Sequence, residues 1–197
     1  MIKFTGMSCF SNIFLGIGKL ILGIYSLSFF TCVSALYTFG MVIAKCFVLA
    51  GILKSKNLND QYKYYFYSGL LLIGASVAFI GYSIRLFLYP TTSVYHMYVA
   101  LVIAAFTFFE IAINLRGVII ERNNQTPLFH AVKTINLASS LICLVLTQTA
   151  ILSFADSQTH MHSAANGLTG VIMGFVAAML GFNMIIRINK IRNGKKL

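Results

Sequence analysis

The sequence predicts an all-α membrane protein: a polytopic bundle of six transmembrane helices, N-in/C-in, making a single transmembrane domain over residues 1–197. Three observations predict it. The first is composition. The chain is 58% hydrophobic and 10% charged, with a mean hydropathy of +0.84, whereas a soluble domain is roughly 45–50% apolar and about 25% charged. So few charges cannot cover a soluble globule of this length. Disorder is excluded by the apolar content, and a disulfide scaffold by four widely spaced cysteines. The second observation is a series of apolar runs of the length a bilayer requires, about 20 residues each. The third is the alternation of basic loops.

The elements follow in order. An apolar stretch from Ile13 to Leu53, broken only by Lys19 and Lys45, is about two bilayer thicknesses long at roughly 1.5 Å per residue. It reads as a hairpin of two spans, about 10–27 and 31–53, turning near Ser26–Thr31. The polar stretch 54–63 leads to a third span, about 64–88, ended by Tyr89-Pro90, where Pro90 cannot continue a helix. The fourth span covers about 94–120 and stops at Glu121-Arg122-Asn123-Asn124. The fifth, about 131–155, stops at Asp156-Ser157-Gln158. The sixth, about 164–191, runs into a basic tail. Lys19 interrupts the first apolar stretch, and no small-x-small site follows it, so this segment reads as a retained helix rather than a cleaved signal.

Lys and Arg assign the orientation. Lys3 precedes the first span. Lys54, Lys56 and Lys63 fill the second loop, and Arg122, flanked by Arg116 and Lys133, marks the fourth. Arg187, Lys190, Arg192, Lys195 and Lys196 close the chain. The first, third and fifth loops carry no Lys or Arg. Both termini are therefore expected in the cytoplasm, and the net charge of +11 reads as topology and contact with lipid headgroups rather than nucleic acid.

Charges inside the bilayer are costly and mark function or pairing. Lys19, Lys45 and Glu110 read as one polar centre at similar depth in the inner half of the membrane. Glu110 is expected to pair with Lys45 or Lys19; the alternative is that both lysines snorkel to the headgroups. Asn114 follows Glu110 by four residues and shares its helix face. Gln148 in the fifth span and Asn183 in the sixth are further polar candidates, as helix glue or as pathway lining. Arg85 snorkels outward.

On the outer side, His160-Met161-His162, Asp156 and His96 form a weak candidate for a soft or borderline cation, because both rings of an H-x-H on an extended segment can face one side. No P-loop, H-E-x-x-H or G-x-S-x-G is present. Glu110 is the sole carboxylate deep in a span, whereas paired-carboxylate and metal-dependent chemistry need clusters. The expectation is no enzyme and no cofactor. Two function classes remain: a small transporter or channel-like protein centred on Glu110, Lys45 and Lys19, and an accessory or structural protein packing against partner helices. Small residues support close packing, in one chain or a homo-oligomer. They are Gly16, Gly18 and Gly23, then Gly69, Gly74 and Gly81, then the sixth-span row containing Gly170-x-x-x-Gly174. Gly74…Gly81-Tyr82 and Gly174…Gly181-Phe182 share one spacing, as in an inverted repeat of two three-span halves.

The stretch 89–152 includes YHMYVALVIAAFTFFEIAINLRGVIIERNNQTPLFHAVKTINLASSLICLVLTQTAIL. It has aromatic residues opening the fourth span, Arg122 followed by Pro127-Leu128, and the INLASSL…TQTA core. It resembles an uncharacterised family of small multi-pass membrane proteins of Gram-positive bacteria. The resemblance implies a bacterial plasma membrane as the setting and carries over no functional residues.

The orientation is testable by C-terminal fusions. A fluorescent-protein fusion is expected to be bright and an alkaline-phosphatase fusion inactive; the reverse pattern would overturn the N-in/C-in assignment.

Overall fold

In a computed structural model, residues 2–54, 58–89, 97–120, 126–155 and 159–194 are described. They form six helices: α1 (Ile2–Tyr25), α2 (Phe29–Lys54), α3 (Leu58–Leu88), α4 (Met97–Ile120), α5 (Pro127–Ala155) and α6 (Thr159–Gly194). Each is long and apolar enough to cross a membrane, and no strand occurs among the described residues. The class is therefore an all-α multi-pass membrane protein. Pro90, His96, Arg122, Asp156 and the tail lysines Lys195 and Lys196 lie outside the described residues.

The helix ends differ from the apolar runs because helices continue past the hydrocarbon. α3 starts at Leu58, inside the stretch read as a loop, with Asp60 in its first turn, where a carboxylate favours the helix dipole. Asp60 also pairs with Lys63 at 3.1 Å on the surface. α5 starts at Pro127 rather than near 131. Thr126 precedes it and accepts the first helical bond from the His130 N–H at 3.2 Å, with proline in the first helical position, where its missing N–H costs nothing.

The α1–α2 turn is Ser26-Leu27-Ser28, without glycine or proline. Leu27 is left-handed, with φ 51°. The Ser28 N–H donates to the Gly23 carbonyl at 2.9 Å and the Leu27 N–H to the Ile24 carbonyl at 3.2 Å, the paired bonds of a Schellman C-cap. Ser28 then begins α2, its Oγ accepting from the Thr31 N–H at 3.4 Å, as an N-cap does.

The helices pack as two layers of three. α1, α2 and α3 are neighbours in order, as are α4, α5 and α6. Across the layers α1 meets α4, α2 meets α5 and α3 meets α6, and α3 also touches α5. α5 is the most enclosed: 67% of its best apolar window is buried, against 28% for α3, α4 and α6. The outward faces are apolar. On α1, Met7, Phe10, Phe14, Ile17, Ile21 and Ile24 are all exposed at spacings of three or four residues, one helix stripe turned to lipid.

The α3–α6 seam is glycine-lined. A Cβ at Gly167 would lie 2.6 Å from the Phe87 backbone nitrogen, one at Gly170 2.5 Å from the Ser83 hydroxyl, and one at Gly181 3.2 Å from the Gly69 carbonyl. The G-x-x-x-G of α6 is thus spent within the chain. Gly74 and Gly81 have nothing within 4 Å, so they are not the packing equivalents of Gly174 and Gly181. The layer pairing has the form an inverted repeat would take, and the glycine match does not follow it.

Gly167→Ala is expected to destabilise the protein by about 1–3 kcal/mol through overpacking, whereas Gly74→Ala is expected to be neutral or to gain up to about 1 kcal/mol. Thermal unfolding in detergent micelles checks both; equal effects would show that the seam is not the tight contact.

Candidate functional site

The intramembrane charges meet where α1, α2, α4 and α5 face one another. The Lys19 ammonium on α1 forms an ion pair with Glu110 Oε2 on α4, with the two side chains 2% and 0% exposed. Each partner is held by a further helix. Lys19 Nζ donates to Thr38 Oγ1 of α2 at 3.3 Å and reaches Cys143 Sγ of α5 at 3.6 Å. Ser139 Oγ of α5 donates to Glu110 Oε1 at 3.2 Å. The pair is therefore tied to all four helices, which is the condition under which a buried ion pair keeps both charges.

A second level lies one turn along α4, about 5.4 Å away. Here Asn114 Oδ1 accepts from Lys45 Nζ of α2 at 3.3 Å and from Asn12 Nδ2 of α1 at 3.5 Å. Lys45 also donates to Ser8 Oγ of α1 at 3.5 Å, and its side chain is buried. Neither lysine snorkels. The choice left open by the sequence resolves to Lys19 as the partner of Glu110, with Lys45 held at the Asn114 level one turn away. One turn beyond Glu110 on the other side, Thr147 Oγ1 donates to Thr107 Oγ1 at 2.8 Å, closing the polar column between α4 and α5.

The column retains unused hydrogen-bonding capacity. Both amide atoms of Asn136 and the Nδ2 of Asn114 are buried and have no hydrogen-bond partner among the described residues. A buried unmet polar group costs about 1–3 kcal/mol, so these amides are places where water or a polar ligand is favoured.

Other residues singled out from the sequence fall elsewhere. Gln148 is half-buried and donates to Thr169 Oγ1 of α6 at 3.1 Å, a bond between helices away from the ion pair. Asn183 stands on the exposed side of α6 and does not join the interior. His160 and His162 lie in the first turn of α6, not on an extended segment. His96 and Asp156 are outside the described residues. Among the described residues no three His, Cys, Asp or Glu side chains come together as metal ligands would.

Ser8, Asn12, Thr38 and Ser139 were not singled out from the sequence. The signal was there: Ser8, Asn12 and Lys19 recur at helical spacing on α1, Thr38 and Lys45 on α2, and Asn136, Ser139, Cys143 and Thr147 on α5. A groove of about 380 Å³ opens between α1 and α4, its lining including Ser8 and Arg116, so Ser8 joins the second level of the column to the surface of the bundle.

No family model matches this chain, and no curated protein matches it either. What the fold and the column define is a class: a six-helix membrane protein with a charged interior.

Glu110→Ala leaves the Lys19 ammonium buried without its carboxylate and is expected to cost about 3–5 kcal/mol. The double variant Lys19→Met/Glu110→Leu is expected to recover most of that loss. Denaturation in mixed micelles gives the comparison; if the single and double variants are equally unstable, the pair is not the interaction being broken.

Proposed function

We propose that this chain is a small transporter or channel-like protein of the bacterial plasma membrane, with both termini cytoplasmic and the Lys19–Glu110 pair at its polar centre. The observation that carries the reading is the fully buried Lys19–Glu110 pair, set where the two three-helix layers meet. A carboxylate and an ammonium in hydrocarbon are stable together and costly apart. A transported ion can take the place of one partner only by compensating the charge of the other. Ser139, Thr38 and the open amides of Asn136 and Asn114 supply hydrogen bonds for whatever replaces the pair.

A second reading, an accessory membrane protein that packs against a partner helix or a second copy, draws on Gly74 and Gly81. These leave a stretch of α3 with nothing within 4 Å of where a Cβ would stand, and small residues there would let another helix approach closely.

Ion uptake into proteoliposomes separates the two. With a potassium–valinomycin potential and chloride, nitrate or phosphate supplied outside, the wild type is expected to take up at least one of the three anions faster than protein-free vesicles. Lys19→Met/Glu110→Leu is expected to fall to the protein-free rate, and Asn183→Ala, on the exposed face, to keep the wild-type rate. A wild type indistinguishable from protein-free vesicles with all three anions overturns the transport reading in favour of the accessory one.

A further inference from the structure

Two of the four cysteines meet in a contact that neither the polar column nor the α3–α6 seam uses. Cys9 Sγ on α1 lies 3.4 Å from Cys46 Sγ on α2, and both thiols are free. Helix register puts them there. A Cβ at Gly16 would meet the Phe39 ring at 3.2 Å, and one at Gly23 would meet Cys32 Sγ at 2.7 Å. Positions 9, 16 and 23 of α1 thus oppose positions 46, 39 and 32 of α2. The steps of seven are about two helical turns and keep one face of each helix on the other. The thiol contact is one rung of this antiparallel seam. The Ser26-Leu27-Ser28 turn closes the hairpin at one end. The thiols stand about 24 Å from it along α1, toward the open end. Cys9 is 7% exposed. Cys46 is exposed beside Ile43 and Phe47, which are 50% and 41% exposed on the lipid-facing side of α2.

We propose that Cys9 and Cys46 are a reversible dithiol–disulfide couple, with Cys46 as the attacking sulfur, Cys9 as the resolving sulfur and a quinone dissolved in the bilayer as the oxidant. From 3.4 Å, the sulfurs close by about 1.4 Å to reach a disulfide bond of about 2.05 Å, a distance that side-chain rotation covers. The oxidant meets Cys46 through lipid. That excludes a charged disulfide such as oxidised glutathione and favours an uncharged ring that dissolves among acyl chains. The Cys46 thiolate, the reactive form of the thiol, adds to a ring carbon of the quinone, and an electron pair moves to a ring oxygen. The Cys9 sulfur then attacks the Cys46 sulfur. The S–S bond forms as the C–S bond breaks, and the pair from that bond returns to the ring. Two electrons and both thiol protons end on the quinol. The disulfide fastens α1 to α2 at the open end of the hairpin, beside the contact of Ser8 Oγ with Lys45 Nζ. The couple stands independently of the transport reading, because it needs only α1, α2 and the surrounding lipid.

The full chain, fully reduced and reconstituted in lipid nanodiscs, is mixed with decylubiquinone. The expected result is the loss of two thiols per chain, one quinol formed for each pair lost, and a peptide linked through Cys9 and Cys46 by mass spectrometry. Dithiothreitol is expected to restore both thiols. Cys46→Ala is expected to keep its remaining thiols and to lower quinol formation to the protein-free rate. Cys9→Ala is expected to hold the quinone as an adduct on Cys46, and Cys32→Ala to behave as the wild type. Thiols that stay free in the wild type, a link through Cys32 or Cys143 or between two chains, or quinol formation that survives Cys46→Ala overturns the proposal. Crosslinking by oxidised glutathione at the same rate also overturns it, because the thiols would then be reached from water and not from lipid.

Discussion

A charge in hydrocarbon must find its opposite inside the protein, and in this molecule that requirement is met by Lys19 and Glu110. The pair joins α1 to α4, the first helix of each layer. Thr38 and Cys143 tie it to α2 and α5 through Lys19, and Ser139 ties it to α5 again through Glu110. Four of the six helices are therefore positioned by one electrostatic contact. Between transmembrane helices, apolar contact alone gives little direction, since lipid tails are as apolar as leucine. An ion pair with hydrogen bonds at defined angles supplies the direction that packing lacks.

The remaining pair of helices is organised by a different principle. Among the described residues α3 and α6 carry no interior charge of this kind, and they approach through glycines that let backbone meet backbone or side-chain root. The bundle thus has a polar half, where register is set by hydrogen bonds along α1, α2, α4 and α5, and an apolar half, where it is set by the absence of Cβ atoms. α5 borders both halves and is the most enclosed helix. Its two kinds of neighbour explain its composition, with serine, threonine and asparagine on one side and Ala131, Ala138 and Ala150 buried among the rest of the core.

The number of helices was legible from the sequence because bilayer thickness sets the length of an apolar run, and six runs give six helices. Helix ends were less legible. Leu58 and Thr159 begin helices inside polar sequence, since backbone hydrogen bonding does not stop where hydrocarbon does. The first turn carries no glycine, and its left-handed position is occupied by Leu27, a residue that gives no sign of it. The existence of a charged interior was also legible. Whether Lys19 or Lys45 pairs with Glu110 was not, because that depends on how α4 is rotated against both. Asn183 shows the same limit from the other side. A polar residue within a span reads as a candidate for the interior, yet the row Gly167, Gly170, Gly174 and Gly181 turns its own face to α3 and leaves Asn183 on the outer one.

The order of the helices along the chain bears on how the molecule is made. Helices emerge in sequence during synthesis, so the α1–α2 hairpin with Lys19 and Lys45 exists before the helix that carries Glu110. Thr38 is already present to receive the Lys19 ammonium, and Ser8 and Asn12 accompany Lys45 from the start. The carboxylate and Asn114 arrive only with α4, and Ser139 and Cys143 only with α5. The early hairpin thus carries two cations whose carboxylate and amide partners on α4, and thiol partner on α5, come later in the chain.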